Sequence, residues 1–318
     1  MKSLVRVGLV LTLWLNPLMG LRTDPQLSMA QTKSSVAKTL KKFEFDEKKS
    51  SGTIVSGNLT VKVNHQKVKP KDGKNIIALI EINAGNKAGT KLTTPISRFI
   101  STIVYLVELD NTNQNPEVMY SIYTGDGAHC CYGVGIASFS AETQGWKVIQ
   151  LGDMKIDNTL VFEGSSSLEP KDIDSDGIYE LVGWDSRFLY RFSSYASSRA
   201  PYLIWRLQNG KLINVTFESK YAPFHRRQAS KYLQEIQKEA QNSAGSDING
   251  IIAGYAATKA ILGEFDSAVP IIAKYHKPTE WSECLGSYME DGRCKGRLVQ
   301  FNSFPKALKY FLEKLGYL

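Results

Sequence analysis

Asp172, Asp174 and Asp176 alternate along the chain, Gly177 follows, and Glu180 comes three residues after the glycine. Clustered carboxylates repel one another, so such a stretch is costly unless a cation or water screens it. An all-oxygen donor set at this spacing suits a hard cation, above all Ca²⁺. Gly177 supplies a position that tolerates positive φ, as a tight turn requires. A second stretch with chemical potential is Gly125-Asp-Gly-Ala-His-Cys-Cys-Tyr132. It admits four readings: a vicinal disulfide between Cys130 and Cys131, a copper or zinc site of His129 with both thiolates, a cysteine nucleophile activated by His129, or two separate long-range or intermolecular bridges. Zinc ligands are usually two to four residues apart, and adjacent residues of an extended chain point to opposite faces. Convergence of these three side chains is therefore difficult.

The elements around the aspartates decide what kind of loop they form. An EF-hand begins with the same acids but needs a glutamate at position 12 and helices on both sides. Counted from Asp172, position 12 is Gly183. The flanks Thr159–Glu163, Tyr179–Trp184 and Arg187–Phe192 are short and rich in β-branched and aromatic residues, so they read as strands. A strand–loop–strand site with its last acid at position 9 resembles the FG-GAP or VCBS repeat of integrin-type β-propeller blades. That resemblance implies Ca²⁺ ligands at Asp172, Asp174, Asp176 and Glu180, with the backbone carbonyl of Ile178. A weaker copy lies upstream, where Glu108, Asp110, Asn113 and Glu117 follow the strand-like Ile103–Val107. It is one residue longer, with Gln114 where glycine belongs, so it is expected to keep the turn without a secure metal site. The two loops start about 60 residues apart, which suits one four-stranded blade per repeat. The His-Cys-Cys turn, with Asp185–Phe192 and Tyr195, resembles a group of exported bacterial proteins with a Gly-Gly-Ala-His-Cys-Cys signature. Asp126 replaces one of those glycines here. The resemblance covers about residues 55–220 and implies fold and compartment rather than an activity.

Lys2 and Arg6 precede an apolar run from Val7 to Leu15, and Ser28-Met-Ala30 has the form of a cleavage site. Residues 1–30 are therefore expected to be a signal peptide, and residues 31–42 a polar linker. Pro17 ends the apolar run well before the ~20 residues that span a bilayer. No later segment is apolar enough to do so. The 318 residues carry a formal charge of +8. The lysines are spread out, without the aromatic interleaving of a nucleic-acid platform. An envelope protein or polysaccharide is the expected partner class, with no nucleic acid. Cysteines of an exported chain are expected to be oxidised. Cys284 and Cys294 bracket a short loop and are expected to pair, which stabilises by roughly 2–4 kcal/mol.

Residues 43–99 read as a small β unit, 100–224 as the β repeats, and 225–318 as a helical region. Asn209-Gly210 between two apolar runs signals a hairpin. The expected fold is mainly β with C-terminal helices: a partial propeller-like core of about two blades under a helical cap. His65, His225 and His276 are expected at solvated positions. Ser-x-x-Lys, Gly-x-Ser-x-Gly and His-Glu-x-x-His are absent from the sequence, so the common exported hydrolase signatures are not met. The expected protein is periplasmic or extracellular, non-catalytic and calcium-binding, with no organic cofactor. The alternative is an envelope enzyme or metal-handling protein built on His129, Cys130 and Cys131.

Overall fold

The structure is a computed structural model. It describes residues 40–71, 74–85, 89–113, 115–127, 130–140, 142–152, 154–156, 159–163, 168–241, 247–288 and 293–318. The expected signal peptide, the linker up to residue 39 and His129 lie outside the described residues.

In chain order the strands are β1 (Lys41–Phe45), β2 (Ser51–Ser56), β3 (Leu59–Lys71), β4 (Lys74–Ala84), β5 (Thr90–Thr93), β6 (Thr102–Val107), β7 (Glu117–Gly127), β8 (Cys130–Ser140) and β9 (Gly145–Leu151). They continue as β10 (Met154–Ile156), β11 (Thr159–Glu163), β12 (Glu169–Lys171), β13 (Glu180–Trp184), β14 (Tyr202–Gln208) and β15 (Lys211–Asn214). Then follow helices α1 (Ala222–Glu239), α2 (Ile248–Ile261) and α3 (Val269–Tyr275), the hairpin β16 (Trp281–Tyr288) and β17 (Cys294–Phe301), and α4 (Phe304–Lys314). All named strand pairs are antiparallel. β2–β5 form one meander and β12–β15 another. The largest sheet runs β1-β6-β7-β8-β11-β10, with β9 also paired to β8.

The central strands of this sheet are buried on both faces, which explains why β6 and β8 read as apolar runs rather than as alternating strands. Val104, Leu106, Val118, Tyr120 and Ile122 pack on Leu59, Val61, Val63, Ile80 and Ile82 of the β2–β5 sheet. From its other face Tyr105, Val107, Met119 and Ile136 meet Leu168, Leu181 and Leu207 in and beside the β12–β15 sheet. The far face of that last sheet, through Val182 and Ile204, takes Tyr221 and Phe224. The result is three stacked β layers with the start of α1 against the third. One glycine is required by this packing: Gly135 lies across from Tyr120, whose ring occupies the space a Cβ would need.

A mainly β chain with C-terminal helices is as expected, and the Asn209-Gly210 hairpin forms with both residues at positive φ, 50° and 65°. Other boundaries differ. Lys41 and Lys42 of the expected linker already belong to β1, which pairs with β6 rather than with the 43–99 sheet. Trp281–Tyr288 and Cys294–Phe301, inside the expected helical region, pair as antiparallel strands stapled by a Cys284–Cys294 disulfide. Arg187–Phe192 is not a strand: Asp185 accepts from Arg187 N–H to cap a 3₁₀ turn, and Tyr190 reverses the chain at φ 58°. His225 is buried rather than solvated, at 1% exposure.

Candidate functional site

The register places the two acidic loops in equivalent positions. Val107, the last residue of β6, pairs with Glu117, the first of β7. Lys171, the last of β12, pairs with Glu180, the first of β13. Each loop thus closes a hairpin whose second strand starts with a fully buried glutamate. In each, that glutamate accepts from the backbone N–H of the loop's second residue: Leu109 to Glu117 Oε2 at 2.7 Å, and Ile173 to Glu180 Oε2 at 3.0 Å. The loops also touch, since Tyr179 N–H donates to the Glu108 carbonyl at 2.8 Å. The next strand supplies a cross-strand neighbour to each glutamate. It is Ser138 on β8 in the first hairpin and Arg206 on β14 in the second, one step beyond the pairs Val118–Ala137 and Leu181–Trp205.

The loop 172–179 gathers the carboxylates of Asp172, Asp174 and Asp176 within 4.8 Å of one another, as no other group of His, Cys, Asp or Glu does among the described residues. One oxygen of each aspartate is used to fold the loop. Gly177 N–H donates to Asp172 Oδ2 at 3.1 Å, Asp176 N–H to Asp174 Oδ1 at 3.4 Å, and Ile178 N–H to Asp176 Oδ1 at 2.7 Å. Ser175 and Gly177 both take positive φ, 60° and 79°, to make these contacts. The second oxygens are left to face outside groups. Lys220 Nζ meets Asp174 Oδ2 at 2.9 Å and Arg206 meets Asp176 Oδ2 at 2.9 Å. Asp172 Oδ1 is buried with no hydrogen-bond partner. Glu180 stands under the loop rather than within the triad. Its Oε1 accepts from Tyr221 Oη at 3.0 Å and lies 3.5 Å from Arg206 Nε.

The charges follow from this placement. Burial pushes Glu180 above the usual carboxylate range, against the Ile173 N–H and Arg206. Burial works the same way on Asp174, but the Lys220 ammonium outweighs it and holds the carboxyl below its ordinary value. Burial and the neighbouring Glu180 push Tyr221 up to about 12, so its hydroxyl stays a donor.

The loop 108–116 solves the same turn with neutral groups. Asn113 Nδ2 donates to the Asp110 carbonyl at 3.2 Å and to Glu117 Oε1 at 2.9 Å, so an amide closes the loop. Asp110 Oδ1 takes Thr112 N–H and its hydroxyl at 3.0 and 2.6 Å. Glu117 accepts from Leu109 N, Asp110 N, Asn113 and Ser138. Burial still pushes it up to about 7, against those donors. Asp110, Asn113 and Glu117 are therefore linked to one another, while Glu108 meets the loop 172–179 through its backbone carbonyl.

At the other conspicuous turn Cys130 and Cys131 are joined to each other, and no free cysteine remains. The residues that sequence reasoning missed are Arg206, Lys220 and Tyr221. They are 26 or more positions from Glu180, and only the pairing of β13 with β14 and the entry into α1 bring them in.

The part of the chain that follows Tyr221 is also where it matches a known family. A family model of the sll0997 C-terminal domain matches residues 225–316. A probable thylakoid lumen protein, sll0997 of Synechocystis sp., is 31% identical over 276 residues, covering 86% of this chain and 77% of that protein. The chain belongs to the sll0997 family. A second relative, the uncharacterized protein y4bJ of Sinorhizobium fredii, is 30% identical over 219 residues. That match covers 68% of this chain and 32% of y4bJ, so the sll0997-like part is a minor share of the longer protein. No solved structure matches the chain.

Proposed function

We propose that this member of the sll0997 family is an exported, non-catalytic β protein that binds Ca²⁺ at the 172–180 loop and acts as a binding or structural module of the cell envelope. The observation that carries the reading is the loop's unbalanced charge. Asp172, Asp174, Asp176 and Glu180 meet two cations, Arg206 and Lys220; four carboxylates less two cations leave two negative charges. A divalent cation cancels that remainder, and the buried, unpartnered Asp172 Oδ1 offers it a ligand. Asp172, Asp174 and Asp176 are the direct ligands in this account, with Glu180 and the Ile178 carbonyl beneath them. Hairpin loops in equivalent register between successive strands support reading the chain as FG-GAP or VCBS-like repeats, a partial propeller of about two blades. The basic, apolar start of the chain and the printed name of the Synechocystis relative support an exported compartment.

The calcium is structural in this reading: it fixes β12 against β13 and adds nothing catalytic. At a free concentration tenfold above its dissociation constant it adds ~1.4 kcal/mol, or a melting temperature higher by about 2–4 °C. Thermal melts of wild type and Asp172→Asn, with calcium and with chelator, test this. The wild type should gain and the variant should not; equal melting of the wild type in both conditions would sink the proposal.

A further inference from the structure

The acidic loop and the segment leading into α1 meet through an ion pair that the calcium reading does not use. Asp174 turns its Oδ1 into the loop, where it accepts the Asp176 N–H at 3.4 Å, and its Oδ2 is taken by Lys220 Nζ at 2.9 Å. The outward oxygen of Asp174 is thus already on a cation. Calcium sits about 2.3–2.6 Å from its oxygen ligands. An ammonium kept on the same oxygen would lie within about 5.5 Å of a dication and repel it. Asp174 therefore holds calcium by this oxygen only if Lys220 lets go.

The loop's other cation is not placed to leave. Arg206 stands in β14, its side chain is 19% exposed, and it serves two carboxylates, Asp176 at 2.9 Å and Glu180 at 3.5 Å. Withdrawing it would leave the fully buried Glu180 without a cation. Lys220 differs in each respect. It belongs to the short 3₁₀ turn Ser219–Tyr221, its side chain is 34% exposed, and its ion pair is with Asp174 alone among the described residues. Its Nζ also lies 4.7 Å from the centre of the Tyr221 ring, a contact that does not need the carboxylate. The flexible four-carbon stem lets the ammonium retreat into water, and the tether keeps it within a Debye length, ~10 Å, so the loop's charge balance is kept.

Resting on the calcium reading, we propose that Lys220 is a tethered counter-ion: it occupies Asp174 in the metal-free loop, yields that oxygen to calcium, and so sets the calcium concentration at which the loop fills. The competition is between an ion on the chain and an ion in solution, and it weakens calcium binding relative to a loop without the lysine. Lys220 directly precedes Tyr221, whose hydroxyl holds Glu180 at 3.0 Å, so the exchange takes place where the chain turns into α1.

Two measurements on the chelator-treated full chain test it. The first is calorimetric titration with Ca²⁺ of wild type, Lys220→Met and Lys231→Met. Lys231 is exposed on α1, so its replacement removes the same charge away from the loop. Lys220→Met should bind calcium about five- to tenfold more tightly than wild type, and Lys231→Met within about twofold of it. The second needs no variant: lysine acetylation of wild type by N-hydroxysuccinimidyl acetate, followed by mass spectrometry with and without calcium. Lys220 should label severalfold faster with calcium, and Lys231 at one rate in both conditions. Calcium binding that is equal or weaker in Lys220→Met, equal tightening in Lys231→Met, or unchanged labelling of Lys220 would overturn this proposal and leave the calcium site standing. No calcium binding by any of the three proteins would overturn the calcium reading and the exchange with it.

Discussion

In the loop 108–116 the buried glutamate is met by four neutral donors, whereas in the loop 172–179 its counterpart shares Arg206 with Asp176 while Lys220 meets Asp174. The backbone frame is the same: a hairpin, a glutamate opening the second strand, and an N–H of the loop's second residue on its carboxylate. What differs is the group at the loop's centre. Asn113 puts an amide donor there, and Asp176 and its neighbours put carboxylates. One turn is thereby closed by neutral donors from its own loop and from Ser138, and the other depends on charge brought from outside.

The largest expected effect lies in the first loop. Glu117→Ala strands two backbone N–H groups and two side-chain donors, and should cost about 3–4 kcal/mol. Glu180→Ala should cost less, because Arg206 retains Asp176. Chemical denaturation of the two variants ranks them, and a reversed order would break the comparison.

Next comes a difference in pH dependence. Burial raises Glu117 from 4.5 to about 7. Its proton is held more firmly in the folded state, so its contribution is full below pH 4.5 and is lost as the pH rises to about 7. Burial lowers His225 from 6.5 to about 4, so its contribution is full above pH 6.5 and is lost as the pH falls to about 4. Each amounts to at most ~3 kcal/mol, and between pH 4.5 and 7 they oppose each other. Glu117→Gln should therefore lose more stability on acidification than wild type, and His225→Gln less. Parallel pH profiles for the three proteins would show that neither group titrates as its burial dictates.

Arg206→Met sharpens the charge argument. Without calcium it should cost about 2 kcal/mol, because Asp176 and Glu180 lose their shared cation. Calcium should recover most of that loss, and an equal loss with and without calcium would mean that no divalent cation substitutes for the guanidinium. The smallest effect is expected from Asn113→Asp. It replaces a donor to Glu117 by a like charge, at about 1–2 kcal/mol in chelator. Because it also raises the first loop's carboxylate number, calcium should narrow the loss, as melts in the two conditions would report.

Much of this comparison could be read from spacing. Spaced acids beside strand-like runs located both turns, a following glycine marked only the second, and Gln114 with the extra residue marked the first as altered. Asn209-Gly210 located the β14–β15 turn. The counter-charges could not be read. Arg206 is 26 residues beyond Glu180, whereas its equivalent, Ser138, is 21 beyond Glu117, so no common interval exposes them. Arg187–Phe192 has the composition of a strand, but Asp185 caps a 3₁₀ turn and overrides it. His225 sits beside two arginines in sequence, yet the α1 face it occupies turns into the third sheet, where Nε2 meets the Thr216 carbonyl at 3.1 Å.

Calorimetric titration of Ca²⁺ into the chelator-treated full chain tests the central claim most directly. The account predicts one saturable site, lost in Asp172→Asn and kept in Asp110→Asn. No binding heat with wild type, or a site that survives Asp172→Asn and disappears with Asp110→Asn, would contradict it.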